Sequence, residues 1–342
     1  MVTMTTDSYE MELILRNLNP IDFHSQSVLV TGGAGFLGSW LCESLLNLGA
    51  AVLCMDNFAS GREENIQHLK KRHGFSFLFQ DVSEKFTIEN NVDFVFHLAS
   101  RASPLEFTDH PLEILKSNTV GTMNALEIAK QNNAVFLFTS TSEVYGDGNI
   151  FPTPETYHGN VNPVGIRGCY DEAKRAGEAL CMAYHRQYGT DARIVRIFNT
   201  YGPRMRSDGI YGRVIPRFIT QAMNGDNLTI FGDGSQTRSF CYVTDQVRGL
   251  IRFISGDDLG GTVINIGNPV EVSIQHLAQT IIRLLSSRSG IEFLPLPPDD
   301  PKRRLPDITR AREKLGWSPE ISLEEGLKRL IAEKRGKNSE NE

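Results

Sequence analysis

Three glycines at three-residue intervals, directly after a short β-branched run, narrow the fold of this chain more than any other feature. Ser27-Val28-Leu29-Val30-Thr31 reads as a strand, Gly32, Gly35 and Gly38 follow, and an apolar periodic stretch from Phe36 to Leu48 reads as a helix closed by Gly49. Ala51 to Met55 reads as the next strand, so the opening unit is β-α-β. Gly32 permits the tight turn, Gly35 lets backbone N–H groups approach a pyrophosphate at the positive end of the helix, and Gly38 lets that helix pack against the sheet. Glycines so placed form a variant of the dinucleotide fingerprint, with Phe36 and Leu37 as further contacts. Asp56, 18 residues past Gly38, is positioned to accept hydrogen bonds from ribose hydroxyls and to repel a 2′-phosphate, which favours NAD over NADP. Arg62 keeps a second reading open, because its guanidinium could meet a 2′-phosphate or lie over the adenine. Asp81 and Val82, after the third strand, are candidates for the adenine end.

The same alternation continues. Phe75 to Phe79, Val92 to Leu98, Val135 to Ser140 and Ile194 to Phe198 read as strands, and Leu112 to Gln131 and Tyr170 to Tyr188 as helices. Repeated βα units with wholly apolar strands imply an α/β fold: a doubly wound parallel sheet of the Rossmann type, covered on both faces. Past about residue 199 the regularity weakens into Gly- and Pro-rich stretches, as expected of a smaller C-terminal substrate-binding lobe. The expected division is an N-terminal extension (1–26), a mainly NAD-binding Rossmann domain (27–199), a substrate-binding lobe with some strands returning to the sheet (200–335), and a charged, frayed tail (336–342). The extension reads as a short surface helix or a disordered arm.

Charge and cysteine usage exclude several classes. A net charge of −6 with well-mixed signs offers no footprint for nucleic acid or an anionic membrane. Five widely spaced cysteines without a C-x-x-C pair argue against a disulfide framework and a zinc site, and fit a reducing cytoplasm. The longest apolar run near the N-terminus is Leu13-Ile14-Leu15, far short of a signal-peptide core, and no stretch approaches the roughly 20 apolar residues of a membrane span.

A candidate catalytic pair lies on the fifth-strand side of the sheet. Tyr170 and Lys174, one helical turn apart, share a face, and an ammonium there would favour the phenolate and make Tyr170 a usable base. Alone, a Y-x-x-x-K string reads as a surface pair. Here it follows Thr139-Ser140-Thr141-Ser142-Glu143-Val144-Tyr145-Gly146, which closes a strand at its carboxyl end, where open α/β sheets bind ligands.

Taken in order and spacing, TGGAGFLGS (31–39), DNFASG (56–61), HLAS (97–100), TSTSEVYGD (139–147), CYDEAKR (169–175), RIFNTYGPRM (196–205) and GDGSQTRSFCYVTD (232–245) resemble the nucleotide-sugar epimerase, dehydratase and decarboxylase group of extended short-chain dehydrogenases. The resemblance runs from about residue 27 to 330. Within that group the chain looks most like the UDP-glucuronate decarboxylases (UDP-xylose synthases), through ASPLEF (102–107), PETYHGNVNPVGIRGCYDEAKR (154–175) and DDPKRRLPDITRAREKLGWSP (299–319).

That resemblance implies Tyr170 as catalytic base, Lys174 as its electrostatic partner and a ligand of the nicotinamide ribose, and Thr141 as the hydroxyl sharing the substrate 4-OH hydrogen bond. Ser142 and Glu143 stand where decarboxylases carry Ser-Glu, with Glu143 a candidate for positioning the sugar carboxylate or a water. Asn57, Ser60, Gly61, Leu98, Ser100, Thr200 and Arg204 are further implied cofactor contacts. Asn199, Arg213, Arg238 and Arg304 are implied grips on the diphosphate and uridine, Arg238 also on the sugar carboxylate, with Lys116 beside them. The implied reaction starts from UDP-glucuronate: oxidation at C4 by tightly bound NAD, loss of CO2 from C6, and re-reduction to UDP-xylose. The group also implies a homodimer through the long helix pair. A UDP-glucuronate 4-epimerase, another epimerase or dehydratase of the group, and a non-enzymatic NAD-binding regulator are the alternatives. Departures keep UDP-galacturonate open as substrate: a longer Met205-to-Arg213 segment, His158 for an expected Trp, and Ile166 for an expected Pro.

Overall fold

Seven parallel strands form the central sheet. The computed structural model describes residues 6–16, 18, 20–206, 213–296 and 301–339. In chain order its first half runs α1 (Thr6–Arg16), β1 (Ser27–Thr31), α2 (Phe36–Asn47), β2 (Ala51–Asp56), β3 (Phe75–Phe79), β4 (Phe94–His97), α3 (Glu106–Asp109), α4 (Pro111–Asn132), β5 (Val135–Thr141), α5 (Gly168–Tyr188) and β6 (Ala192–Ile197). The second half runs β7 (Thr200–Tyr201), α6 (Val214–Asn224), β8 (Leu228–Phe231), β9 (Thr237–Ser239), β10 (Cys241–Tyr242), α7 (Val243–Ser255), β11 (Val263–Ile266), β12 (Glu271–Ser273), α8 (Ile274–Leu285), β13 (Ile291–Leu294), β14 (Arg303–Arg304), α9 (Thr309–Leu315) and α10 (Leu323–Ser339).

Apolar strands dictate this arrangement. Four of the five residues of β1 and five of the seven of β5 are buried, which requires cover on both sheet faces. Strand order reverses at β1, where β2 pairs on one side and β4 on the other. That reversal opens a crevice at the carboxyl ends, the usual ligand position in such sheets. The doubly wound parallel sheet expected from the sequence is therefore the observed one. Three small sheets, β12-β9-β14, β13-β8 and β10-β7, build the second half beside it, while β11 joins the edge of the main sheet.

The N-terminal helix departs from the surface helix or disordered arm expected. Met11, Ile14 and Leu18 are in the main core and Glu10 is fully buried, with α1 packed on α2 and α7. Met11 and Ile14 lie on one face of α1, Leu18 follows in the turn beyond it, and burying three such side chains contributes about 1.5 to 3 kcal/mol each. At the other end α10 continues through Ser339, past the start of the tail expected to fray. Most of the Met205-to-Arg213 segment lies outside the described residues.

Candidate active site

A cleft of about 540 Å³ opens along the carboxyl ends of β1, β2, β4, β5 and β6. At one end Gly32, Gly35, Phe36, Leu37 and Gly38 form its floor. A Cβ on Gly32 would stand 2.8 Å from the Ala99 amide nitrogen, and one on Gly38 2.1 Å from the Gly32 carbonyl oxygen, so only glycine leaves this cradle open to a ligand. Asp56, Asn57, Ser60, Asp81 and Val82 line the wall beyond β2 and β3. Asp56 accepts hydrogen bonds from the Ala34 and Phe58 amides, at 2.9 and 2.8 Å, while burial pushes its carboxyl above the usual range. Arg62 is not among the lining residues. Gly61 also stands back from the cleft; its missing Cβ makes room for the Asp56 carboxylate, 2.8 Å away. Leu98, Ser100, Thr200 and Arg204 complete this end. The glycine cradle and the acid at the end of β2 fit a dinucleotide.

Across the cleft, Thr141, Ser142, Glu143, Tyr170 and Lys174 converge from the end of β5 and the first turns of α5. Thr141 caps a short 3-10 turn by accepting from the Glu143 amide at 3.3 Å. That turn explains why the Thr-Ser-Glu run faces Tyr170. The Tyr170 ring stacks on Phe107, 5.3 Å between centroids. Lys116, Asn199 and Arg213 also line the cleft.

The electrostatics differ from the simple Tyr-Lys coupling read in the sequence. Burial pulls the Lys174 ammonium down to about 7, and its Nζ donates to the Thr139 carbonyl at 2.7 Å. It lies 5.9 Å from the Tyr170 ring centroid. Burial pushes the Tyr170 phenol up to about 12; the opposing pulls come from Arg213 and a hydrogen bond with Thr141. Lys174 thus shares the face as spacing requires, while Arg213 is the cation that acts on the phenol.

Arg238 and Arg304, expected at the ligand, stand behind the cleft wall. Arg304 is buried in β14, donating to the Gly146 carbonyl and, at 3.0 Å, to Glu143. β9 carries Arg238, whose charge adds to the pull on Glu143. Both sit there because β9 and β14 pair in a small sheet that backs the Thr141–Gly146 turn. Glu143 is also held by Arg167 at 2.5 Å, and although burial opposes ionisation, these guanidiniums keep its carboxyl well below the usual range. It is a fixed anion, unsuited to giving up a proton. Neighbouring Asp171 is pushed up to about 7, first by burial and then by the Glu143 charge.

Arg167 and Phe107 were not singled out from the sequence, although both line the cleft. Arg167 stands three residues before Tyr170 and four before Asp171, a helical spacing that marks it once the helix is known to begin at Gly168. Among the described residues, no cluster of three His, Cys, Asp or Glu side chains is suited to a metal ion, and no helix is long and apolar enough to cross a membrane.

Known proteins resemble this chain over most of its length. UDP-glucuronic acid decarboxylase 5 of Arabidopsis thaliana is 49% identical over 301 residues, covering 88% of this chain and 86% of that protein. UDP-glucuronic acid decarboxylase 1 of Danio rerio is 46% identical over 327 residues, covering 94% and 77%. Among solved structures, a UDP-glucuronic acid 4-epimerase from Bacillus cereus, in complex with UDP-glucuronic acid and NAD, superimposes with a TM-score of 0.80 at 30% identity, covering 91% of this chain and 99% of that one. Residues 28–267 match the NAD dependent epimerase/dehydratase family. With the glycine cradle, the acid at the end of β2 and the Thr-Tyr-Lys wall all on one cleft, the chain belongs to the NAD dependent epimerase/dehydratase family.

Proposed function

We propose that this protein is a UDP-glucuronate decarboxylase that forms UDP-xylose. The observation that carries the reading is charge at the sugar end of the cleft. Arg167, Arg238 and Arg304 surround Glu143, while the second carboxyl there, Asp171, is pushed up to about 7. A guanidinium in the wall of a cleft suits an anionic substrate group, and the C6 carboxylate, carried on the carbon next to C4, supplies one. Arg167, in the wall beside Glu143 and Tyr170, is the guanidinium we assign to that carboxylate. The decarboxylase names of the relatives agree with this reading.

NAD, when bound, would supply the hydride acceptor and donor at C4. In the reading proposed here, Tyr170 acts as the phenolate, the form that Arg213 favours, and accepts the 4-OH proton, while Thr141 shares the hydrogen bond at O4. Lys174 holds the ribose of the cofactor. The resulting 4-keto sugar has its carboxylate β to a ketone, so the C5–C6 bond breaks with its electrons delocalised into an enolate. Donors at O4 stabilise that developing charge until C5 takes a proton from water; O4 then regains its proton from Tyr170 as the hydride returns to C4. Ser142, in the cleft wall, is assigned to the C5 and C6 side of the sugar, and Glu143 to orienting Arg167 and Arg304. The remaining cofactor contacts follow the cleft floor, and the uridine diphosphate goes to Lys116, Asn199 and Arg213, toward the lobe built mainly by residues 200–335.

A UDP-glucuronate 4-epimerase is the second reading, favoured by the fold match to the Bacillus cereus epimerase. A proton NMR time course with UDP-glucuronate and catalytic NAD separates the two. Growth of UDP-xylose signals with release of CO2 is expected, and UDP-galacturonate without CO2 would establish the epimerase. Tyr170→Phe is expected to lower turnover by roughly 10³-fold or more; full turnover in that variant would sink the Tyr170 assignment.

Further parts of the proposal concern the setting. A homodimer would cover the exposed Leu112, Val120 and Met123 of α4 and Tyr188 of α5. A reducing cytoplasm suits five cysteines of which none is in a disulfide.

A further inference from the structure

Arg204 ties the N-terminal helix to the cofactor end of the cleft. It lies in the cleft wall, yet its side chain is only 5% exposed and its φ is +68°, a left-handed conformation that a residue with a side chain adopts only when its surroundings impose it. Its guanidinium lies 3.8 Å over the Trp40 ring of α2. The Trp40 indole in turn donates to the Pro203 carbonyl at 3.1 Å. Two carboxylates hold the guanidinium in that pose: Asp7 in the first turn of α1, at 3.0 and 3.1 Å, and Glu43 of α2. The next residues, Met205 and Arg206, line the cleft, and Arg206 reaches the Ser60 carbonyl at 3.4 Å. The 203–206 segment therefore fastens together α1, the glycine-turn helix α2 and the loop after β2.

The rest of α1 is anchored independently. Glu10 is buried against the Tyr242 hydroxyl at 2.7 Å and Arg329 of α10 at 3.3 Å, and Ile14 is in the core. With the helix fixed there as well, Asp7 presents its charge to Arg204 from a rigid helix. We infer that α1 is a positioning element of the cofactor cleft, in which Asp7 fixes Arg204 and so sets the spacing between the 203–206 wall and the glycine turn. The inference needs only an NAD-binding cleft and is independent of which nucleotide sugar is used.

Titrating nucleotide-free Asp7→Asn, Asp7→Ala and Asp7→Glu proteins with NAD and, separately, with UDP by calorimetry tests it, with thermal melts in parallel. Loss of one charge-assisted anchor is expected to raise the Kd for NAD about fivefold to twentyfold in the Asn and Ala variants. The Kd for UDP should stay within about twofold, and Asp7→Glu should recover most of the NAD affinity. An unchanged Kd for NAD would overturn the inference. So would a parallel loss of NAD affinity, UDP affinity and melting temperature, because Asp7 would then serve only the stability of the fold.

Discussion

Asp171 is the residue whose environment most directly predicts a measurable pH effect. Its carboxyl is raised from 3.8 to about 7, mainly by burial, and its Oδ1 has no hydrogen-bond partner among the described residues. Between those two values the folded chain holds a proton that the unfolded chain has released, so stability falls as pH rises from about 4 to about 7 and stays lowered above that. Asp171→Asn removes the ionisation. Its melting temperature is expected to match that of the parent near pH 4 and to exceed it increasingly toward pH 8, as scanning calorimetry across that range would report; equal melting curves at pH 8 would contradict the burial argument. Tyr170, Thr141 and Lys174 were legible in the sequence because helical spacing and the end of an apolar strand place them without knowledge of the fold. The gathering of Arg238 and Arg304 around Glu143 was not legible, since it depends on a β9-β14 pairing across some 65 residues of chain. The sign of the Tyr170 shift escaped for a related reason: spacing reveals that Lys174 is near, and only burial reveals that its own charge is suppressed.

At the scale of elements, the strand, glycine turn and helix at residues 27–47 do what their residues dictate, and the turn tolerates no side chain at its third glycine. A Cβ on Gly38 would meet the Gly32 carbonyl oxygen at 2.1 Å and the Gly33 Cα at 2.8 Å, both backbone atoms that cannot rotate away. Gly38→Ala must therefore push α2 outward and open the cradle. We expect about a hundredfold weaker NAD binding or more, measured by calorimetry, with UDP affinity within about threefold of the parent because its proposed ligands lie at the opposite end of the cleft. Elements built on long apolar strands were readable, and β1 and β3 have the limits expected. The burial of α1 was hidden by its acidic first turns, although Met11, Ile14 and Leu18 carry the spacing of a core-facing stripe. Strands of two to four residues such as β7, β9, β10 and β14 give almost no periodic signal, and the second half of the chain was accordingly visible only as a loss of regularity.

Assembly is set by what the whole molecule leaves uncovered. α4 and α5 pack against each other on the outside of the sheet, and Leu112 is 66%, Val120 43%, Met123 45% and Tyr188 51% exposed. On α4 the three apolar side chains fall within roughly 80° of arc, at 100° per residue, so they form one face. Single exposed apolar residues are ordinary, whereas a face shared by two long neighbouring helices is what a four-helix contact between two copies requires. A stable interface of this kind buries about 1,200 to 2,000 Å² in total. Two charges at its centre, Val120→Glu with Met123→Glu, place carboxylates opposite their own symmetry mates and leave the inner face of α4, with Ile114, Ala125 and Ala129, untouched. Light scattering after gel filtration is expected to give the mass of two chains for the parent and of one chain for the double variant, with the NAD affinity of the variant within about threefold of the parent. A parent protein that elutes as one chain, or a double variant that remains paired, would show that this face has another use. The same helix contributes Lys116 and Ser117 to the cleft wall, so an interface on its outer face would also restrain the cleft.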